Sequence, residues 1–130
     1  MQIAVCVDDA LGRTFNGRRQ TKDRVVAADL IREAQGRLFI TPFSQKWLGN
    51  EPGVTLWDGK DSSHLLFLEA EPLAPYAQQI TRLVIYRWNR LYPADTYLDL
   101  DPQALGLALE STQELTGFSH PVITKEIWTK

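Results

Sequence analysis

Residues 3–12 read IAVCVDDALG, a short apolar run followed by an acidic turn. The run Ile3–Val7 is continuous and rich in β-branched side chains, a pattern typical of a strand that is covered on both faces of its sheet. Asp8, Asp9 and Gly12 then favour a turn. A strand covered on both faces needs structure above it and below it, so this stretch predicts a strand inside a layered domain.

A helix is predicted from about Thr21 onward. The apolar residues there recur with the i, i+4 spacing of one buried stripe, formed by Val26, Ala27, Leu30, Ile31 and Ala34. We expect Thr21 to cap the helix, Asp23 to stabilise its first turn, and Gly36 to end it in the left-handed conformation. No regular element is predicted for the preceding residues 12–22, which are polar and contain Gly12, Asn16 and Gly17.

The rest of the chain alternates strands with one further helix. A short helix is predicted over Pro72–Ile80, and extended segments at Arg37–Thr41, Val54–Trp57, Leu65–Leu68, Leu83–Trp88 and Tyr97–Leu100. Two alternating segments, Leu105–Leu109 and Ile123–Ile127, flank the turn-rich residues 116–121 and predict an antiparallel hairpin. This order predicts an α/β domain of three layers: a mostly parallel central sheet, helices on both faces, and the antiparallel C-terminal hairpin.

The composition indicates one globular domain over residues 1–130. A chain of 14.8 kDa is expected to have a folded surface of roughly 7,000 Å². No apolar run approaches the ~20 residues of a membrane span and no secretory signal is visible, so we expect a soluble, cytoplasmic protein without a membrane partner. The formal net charge of −2 provides no field that would recruit nucleic acid.

Several kinds of site are excluded by missing motifs. The chain has two histidines, His64 and His120, and one cysteine, Cys6, without the clustered spacing that a metal site requires. Glycine-rich phosphate-binding loops and the GxSxG nucleophile motif are absent. Cys6 lies in an apolar strand, where we expect it to serve packing rather than nucleophilic catalysis.

Two clusters remain as candidates for binding. One is a group of five cations that either holds an anionic ligand or forms a solvated loop balanced by nearby aspartates: Arg13, Arg18, Arg19, Lys22 and Arg24. The other, residues 86–92, interleaves aromatic and arginine side chains, which suits either stacking on bases or a packed core with an exposed rim. Without a net positive charge, we expect the packed core and no nucleic-acid partner.

The order of these motifs is similar to that of a known family. Residues 3–12, Asn16 in the loop that follows, and Asp23 near the start of the first helix match a first strand, a mobile loop and a helix-opening acid. Further on, Ala94-Asp95-Thr96 follows a strand in the position of a Gly-Asp-Thr signature, and residues 124–128 match a characteristic final strand. The family with these features in this order is dihydrofolate reductase, and the chain resembles a shortened form of it over most of its length.

The cofactor-binding motifs of that family are altered here. Where the family has a glycine and a basic residue after the second strand, this chain has Thr41-Pro42-Phe43, and proline has no N–H to donate to a phosphate. Where the family has a glycine pair, this chain has Glu69-Ala70, which puts a carboxylate where phosphates would lie. The adenosine-binding segment is reduced to residues 48–64. The resemblance therefore implies the fold without its nicotinamide cofactor, in a single domain that lacks most of the adenosine-binding segment.

The resemblance also implies a set of ligand-binding residues, Val5, Asn16, Arg18, Arg19, Asp23 and Tyr86. Asp23 is the candidate catalytic residue, since a carboxylate in a dry pocket binds an amino-heterocycle through two hydrogen bonds, or acts as a general acid or base if its pKa rises. The alternative is that Asp23 serves the helix dipole or pairs with Arg19. Tyr86 stands where the family has a threonine that hydrogen-bonds the acid.

Three functions remain open at this point. The leading hypothesis is a non-reductase module that binds a protein or a small molecule, heterocyclic or anionic, with a residual pocket near Asp23 and with neither cofactor nor metal. The alternative is an NAD(P)H-dependent oxidoreductase that acts on a pterin-like heterocycle. The second alternative is a protein-interaction module without a pocket, which would use exposed Trp47, Trp57 or Trp128.

Overall fold

The structure, a computed structural model, describes residues 1–130 and contains ten strands and two α-helices. In chain order the first half comprises β1 (Gln2–Val7), β2 (Gly12–Phe15), β3 (Arg18–Arg19), α1 (Arg24–Glu33), β4 (Leu38–Ile40), α2 (Gln45–Leu48) and β5 (Val54–Leu56). The second half comprises β6 (Leu65–Phe67), β7 (Arg82–Arg87), β8 (Thr96–Tyr97), β9 (Ala108–Leu115) and β10 (Ile123–Thr129). Short 3₁₀ helices occupy Pro42–Ser44, Ala74–Tyr76 and Pro102–Leu105.

The main sheet has seven strands in the order β5-β4-β6-β1-β7-β10-β9. β1 lies in the middle and pairs in parallel with β6 and β7, with Ile3 opposite Leu66 and Val5 opposite Ile85. β4 and β5 extend the parallel part, whereas β10 runs antiparallel to both β7 and β9. The predicted α/β fold is confirmed, because the sheet is mostly parallel and ends in the antiparallel C-terminal hairpin.

Apolar side chains cover both faces of this sheet. On one face, α1 packs Val26 and Leu30 against sheet residues that include Phe67 and Val84. The opposite face carries alternate residues of the same strands, among them Val5, and is covered by connecting segments that contribute Leu73, Ile80 and Leu107. The accessible surface is 6936 Å², as the expected value of roughly 7,000 Å² implies.

The second face is not covered by the helix that the sequence predicted over Pro72–Ile80. Only the single 3₁₀ turn Ala74–Tyr76 forms there. Pro75 has no N–H with which to propagate a helix, and the carboxylate of Asp99 accepts the N–H groups of Leu73 and Ala74 at 2.8–3.1 Å instead.

α1 begins later than predicted, at Arg24. Its cap is Asp23 rather than Thr21: the Asp23 backbone is extended, and its Oδ1 accepts the Val25 N–H at 2.9 Å. At the other end the chain turns left-handed through Gln35 and Gly36, with φ of 55° and 83°. The Gly36 N–H reaches back to the Ile31 carbonyl at 3.1 Å, so the helix is terminated at Gly36 as predicted.

Residues 12–22, for which no regular element was predicted, form a β-hairpin. β2 pairs with β3, and Asn16 and Gly17 make the turn with φ of 52° and 69°. Asn-Gly is the dipeptide that a two-residue hairpin turn of this type requires. β8 adds a third strand on the other side of β2, and Asp95 accepts the Asn16 N–H at 3.0 Å. The hairpin therefore has a defined position on the molecule, and it presents Arg18 and Arg19.

A buried ionic cluster ties α1 to the C-terminal strand. Lys125, only 5% exposed, donates to Glu33 at 2.5 Å and forms an ion pair with Asp29 at 2.8 Å, and Arg82 donates to Glu33 at 2.6 Å. Tyr86 donates its hydroxyl to Asp29 at 2.6 Å. Burial would raise the pKa of Glu33, but the hydrogen bonds from the two cations outweigh it and hold this pKa below its usual value.

Removing the central cation should strongly destabilise the fold. Lys125→Met removes the buried ammonium from Asp29 and leaves it only the exposed Arg32, 3.7 Å away, so we expect the free energy of unfolding to fall by about 3 kcal/mol in urea denaturation at pH 7. The double variant Lys125→Met/Asp29→Asn should recover part of this loss. The exposed Lys130→Met serves as the matched control and should change stability by no more than about 0.5 kcal/mol. Equal stabilities for Lys125→Met and Lys130→Met would contradict this account.

Candidate functional site

The carboxylate of Asp23 is closed off from solvent, with the residue only 2% exposed. Its Oδ1 accepts the N–H groups of Val25 and Phe118, both at 2.9 Å. Its Oδ2 accepts the Ser119 N–H at 2.8 Å, the Ser119 hydroxyl at 3.1 Å, and His120 Nδ1 at 3.0 Å. Both carboxylate oxygens therefore accept hydrogen bonds from groups of the protein itself. Asp23 lines none of the larger cavities of the molecule.

This environment lowers the pKa of Asp23 rather than raising it. Burial would raise its pKa, but hydrogen bonds from Phe118, His120, Val25 and Ser119 outweigh burial and hold the pKa far below its usual value. A general acid or base of this type would need a raised pKa. The carboxylate stays ionised and acts as an anchor for the loop between β9 and β10, in addition to capping α1.

His120 completes this anchor. Its ring stacks on Trp88 with the centroids 4.7 Å apart. Nδ1 faces the Asp23 carboxylate, which can only accept a hydrogen bond, and Nε2 forms a hydrogen bond with the hydroxyl of Tyr92 at 2.9 Å. The pocket that the sequence predicted next to Asp23 is thus filled by His120, Trp88 and Tyr92.

Two of the predicted ligand contacts are buried away from any cavity. Val5 is fully buried in the core on the face opposite α1. Tyr86 is fully buried under α1, where it donates to Asp29, and burial together with the Asp29 charge raises its pKa. Neither Val5 nor Tyr86 lines a described cavity, so the structure gives the predicted ligand contacts of these two residues no support. In residues 86–92, Tyr86 and Trp88 form the packed core that the sequence analysis favoured.

Glu69 lies two residues beyond β6 and forms an ion pair with Arg19 at the ends of the parallel strands. The guanidinium makes two hydrogen bonds to the Glu69 carboxylate, both 2.6 Å long, and Ser44 donates to the same carboxylate at 2.6 Å. The guanidinium also lies 4.9 Å from the ring centroid of Trp47 and 5.7 Å from that of Phe43. This ion pair joins the hairpin to the sheet.

Beside Arg19 lies an open groove between the hairpin and the segment that contains α2. We call it the cationic groove; it has a volume of about 630 Å³ and is lined by Gly17, Arg18, Arg19, Thr21, Lys22, Pro42, Phe43 and Lys46. No carboxylate lines it. Arg18, Lys22 and Lys46 are exposed and have no ion-pair partner.

Two further spaces adjoin the hairpin. A cavity of about 500 Å³ on its other side is lined by Phe15, Asn16, Arg18, Arg19, Gln20, Tyr92 and Pro93. Behind the hairpin is a void of about 10 Å³, lined by Cys6, Arg13, Arg19, Gln20, Thr21, Glu69 and Trp88. Burial, reinforced by the charge of Glu69, raises the pKa of the Cys6 thiol.

The five-cation cluster of residues 13–24 is divided by the fold. Arg13 is buried and donates to the carbonyls of Glu71 at 2.6 Å and Leu68 at 3.0 Å. Arg24 lies 3.8 Å from the centroid of the exposed Phe118 ring. With Arg19 held by Glu69, only two members of the cluster remain without a partner, Arg18 and Lys22.

Three residues of the groove and of the Asp23 environment were not predicted as site residues. Lys46 and Phe43 come to the groove from the segment after β4, and His120 reaches Asp23 from the far end of the chain. The Asn-Gly dipeptide would have identified the hairpin and the side of it on which Arg18 lies. No local pattern marks the contacts of Phe43, Lys46 or His120. No group of three or more His, Cys, Asp or Glu side chains is arranged to hold a metal ion.

The anchoring role of Asp23 predicts a pH-dependent loss of stability. Because its folded pKa lies below the unfolded value of about 3.9, the carboxylate stabilises the fold fully above that pH and loses its contribution as the pH falls toward the folded pKa. At pH 7, Asp23→Asn should lower the free energy of unfolding by about 2–4 kcal/mol. We expect the difference from wild type, measured by urea denaturation, to shrink steadily below about pH 4.

The matched control for this experiment is Asp9→Asn, since Asp9 is exposed and its side chain makes no hydrogen bond. This variant should follow the wild-type stability across the same pH range. A constant difference between wild type and Asp23→Asn down to pH 2 would show that the Asp23 charge does not contribute.

Comparison with known proteins shows the fold. No family model matches the sequence, and no curated protein matches it. Among solved structures, the chain is similar to dihydrofolate reductase from Enterococcus faecalis, complexed with NADP(H) and RAB-propyl. The superposition has a TM-score of 0.69 at 9% sequence identity and covers 99% of this chain and 95% of the other. The chain therefore has a distant dihydrofolate reductase-like fold.

Proposed function

We propose that this chain is a non-reductase module that binds a small organic anion in the cationic groove. The observation that carries the proposal is the convergence of three unpaired cations, Arg18, Lys22 and Lys46, on a space without any carboxylate. They come from three separate segments: β3, the residues before α1, and α2. The predicted ligand class, a small anionic molecule, is kept, while its place moves from the Asp23 carboxylate to the neighbouring groove.

The charge distribution makes an anion the natural occupant of this groove. Other exposed cations of the chain also have no ion-pair partner, but Arg18, Lys22 and Lys46 are distinguished by lining one groove together. Like charges that share a groove repel one another, and a bound anion relieves that repulsion. An arginine fork and two lysine ammonium groups also suit phosphate or carboxylate oxygens.

The apolar part of the groove indicates the rest of the ligand. Phe43 is half-buried and Pro42 is exposed beside it, so both offer apolar surface next to the cations. An aromatic face of this kind favours stacking of a flat ring. The ligand best suited to the groove is therefore a ring that carries a phosphate or carboxylate group.

An oxidoreductase is the second candidate, because the fold is similar to that of a reductase whose structure was solved with NADP(H). Two contacts of this chain speak against it. Glu69 directs a carboxylate toward the ends of the parallel strands and is already paired with Arg19, and Asp23 has no free oxygen to offer a substrate. We therefore place NAD(P)H chemistry second, as an outcome that the experiment must distinguish.

The third hypothesis, a pocketless interaction module, has less support. Trp47, Trp57 and Trp128, expected to be exposed, are all half-buried. The ring of Trp47 packs edge-on against Phe67, and that of Trp57 against Tyr76. These tryptophans serve the core margins rather than forming an exposed patch.

The proposal is tested by calorimetric titration with phenyl phosphate, which combines a flat ring with an anion. We expect saturable binding that weakens with added salt, because the contacts lie in solvent. The triple variant Arg18→Gln/Lys22→Gln/Lys46→Gln should bind at least tenfold more weakly, a loss of about 1.4 kcal/mol or more. NADPH is titrated in parallel.

The matched control removes the same three charges elsewhere, in Arg37→Gln/Lys60→Gln/Lys130→Gln, whose cations are exposed and do not line the groove. This variant should retain wild-type affinity. Equal weakening in both triple variants, or no binding by the wild type, would refute the proposed site. Saturable NADPH binding with oxidation of NADPH by a pterin would put the oxidoreductase first.

A further inference from the structure

We propose that Arg19 is a gate between the cationic groove and the buried void behind the hairpin, and that an anion in the groove opens it. The inference rests on the proposed function for the identity of the opening ligand. It adds a second, buried compartment to the binding site and names the side chain that controls access to it.

The void is a polar site with unmet hydrogen-bonding capacity. Two buried side-chain atoms in the protein have no hydrogen-bond partner, Arg13 Nε and Gln20 Oε1, and both residues line this void. One atom is a donor and the other an acceptor. Buried polar atoms are almost always satisfied in native proteins, so a group that accepts from Arg13 and donates to Gln20 is expected there. A primary amide and a lactam each contain both an acceptor and a donor. The smallest group with both is a single water molecule.

Arg19 forms the wall between this void and the open cavities. It lines the void, the cationic groove and the cavity on the other side of the hairpin. Thr21 also borders both the void and the groove, so the two spaces are adjacent. A movement of the Arg19 side chain would join them, and it would create room in a void that now measures only about 10 Å³.

The contacts that hold Arg19 closed are of a kind that an anion can replace. The guanidinium is 20% exposed and is held by its two hydrogen bonds to Glu69. A phosphate in the groove, attracted by Arg18 and Lys46, offers the guanidinium the same paired oxygens. Glu69 would keep its hydrogen bond from Ser44 when Arg19 leaves. Exchange of one oxyanion for another therefore opens the gate without leaving the arginine unpaired.

Cys6 supplies a reporter for this movement. It is the only cysteine of the chain, it lines the void, and it is half-buried. Arg19 is the one residue that lines the void and both neighbouring open cavities, so we expect its side chain to limit the access of a reagent to the sulfur. Iodoacetamide suits the purpose, because its primary amide matches Arg13 Nε and Gln20 Oε1 while its reactive carbon alkylates the thiol.

The experiment measures the rate of Cys6 alkylation by iodoacetamide, at constant pH and ionic strength, with and without phenyl phosphate. We expect saturating phenyl phosphate to raise the rate at least fivefold in the wild type. Arg19→Gln, which cannot form the paired contact with Glu69, should react at least fivefold faster than wild type without any anion. Glu69→Gln should give a similar increase, because it releases Arg19 from the other side. Since the charges of Glu69 and Arg19 also act on the pKa of the Cys6 thiol, all rates are compared as the limiting rate constant of the thiolate, taken from the pH dependence of alkylation.

The matched control is Arg82→Gln, which removes another arginine–glutamate pair of the same 2.6 Å length at the opposite end of β7 and β1. Its alkylation rate should remain that of the wild type. Equal acceleration in Arg19→Gln and Arg82→Gln would mean general loosening and would overturn the gate. Calorimetry on the same samples separates the two proposals. If phenyl phosphate binds but does not accelerate alkylation, only the gate is overturned. If phenyl phosphate does not bind, both the proposed function and the opening of the gate by an anion are overturned.

Discussion

The saturated carboxylate of Asp23 is the contact on which the functional end of this molecule depends. It caps the first turn of α1 and at the same time holds the loop between β9 and β10 through Phe118, Ser119 and His120. The β2–β3 hairpin lies directly before α1 in the chain, so its position follows from where that helix starts. The backbone around these cavities is therefore held in place from outside, although Asp23 lines none of the larger cavities itself.

Charge pairing then decides which parts of the basic segment remain free to bind. Arg19 is neutralised by Glu69 and Arg13 is buried against backbone carbonyls, whereas Arg18 and Lys22 face solvent beside Lys46. Paired cations build the walls and unpaired ones supply the affinity for an anion. Arg19 lines both the cationic groove and the void behind the hairpin. Its ion pair with Glu69 therefore holds a side chain that stands between the two spaces.

Predictions from sequence succeeded where a periodic pattern was long or strongly bounded. The strand at residues 3–7, the helix stripe of α1 and the last strand of the C-terminal hairpin were found this way. The first strand of that hairpin was misplaced: it runs over Ala108–Leu115, and Leu105 ends a 3₁₀ helix. The helix over Pro72–Ile80 was wrong, since Pro75 interrupts it and Asp99 satisfies the backbone from outside. The Asn16-Gly17 turn was missed although its dipeptide indicates a hairpin, because Asn16 and Gly17 were interpreted as disfavouring any regular element.

The amino-acid sequence by itself determined the layered α/β fold, because the spacing of apolar residues along a strand or a helix is a local property of the chain. It also determined the supply of cations near residues 13–24. The tertiary structure alone decided which of those cations are free, since the partners Glu69 and Lys46 come from other segments. It also decided the role of Asp23, whose hydrogen-bond donors at residues 118–120 lie nearly a hundred residues away in the chain, beyond the reach of any local pattern.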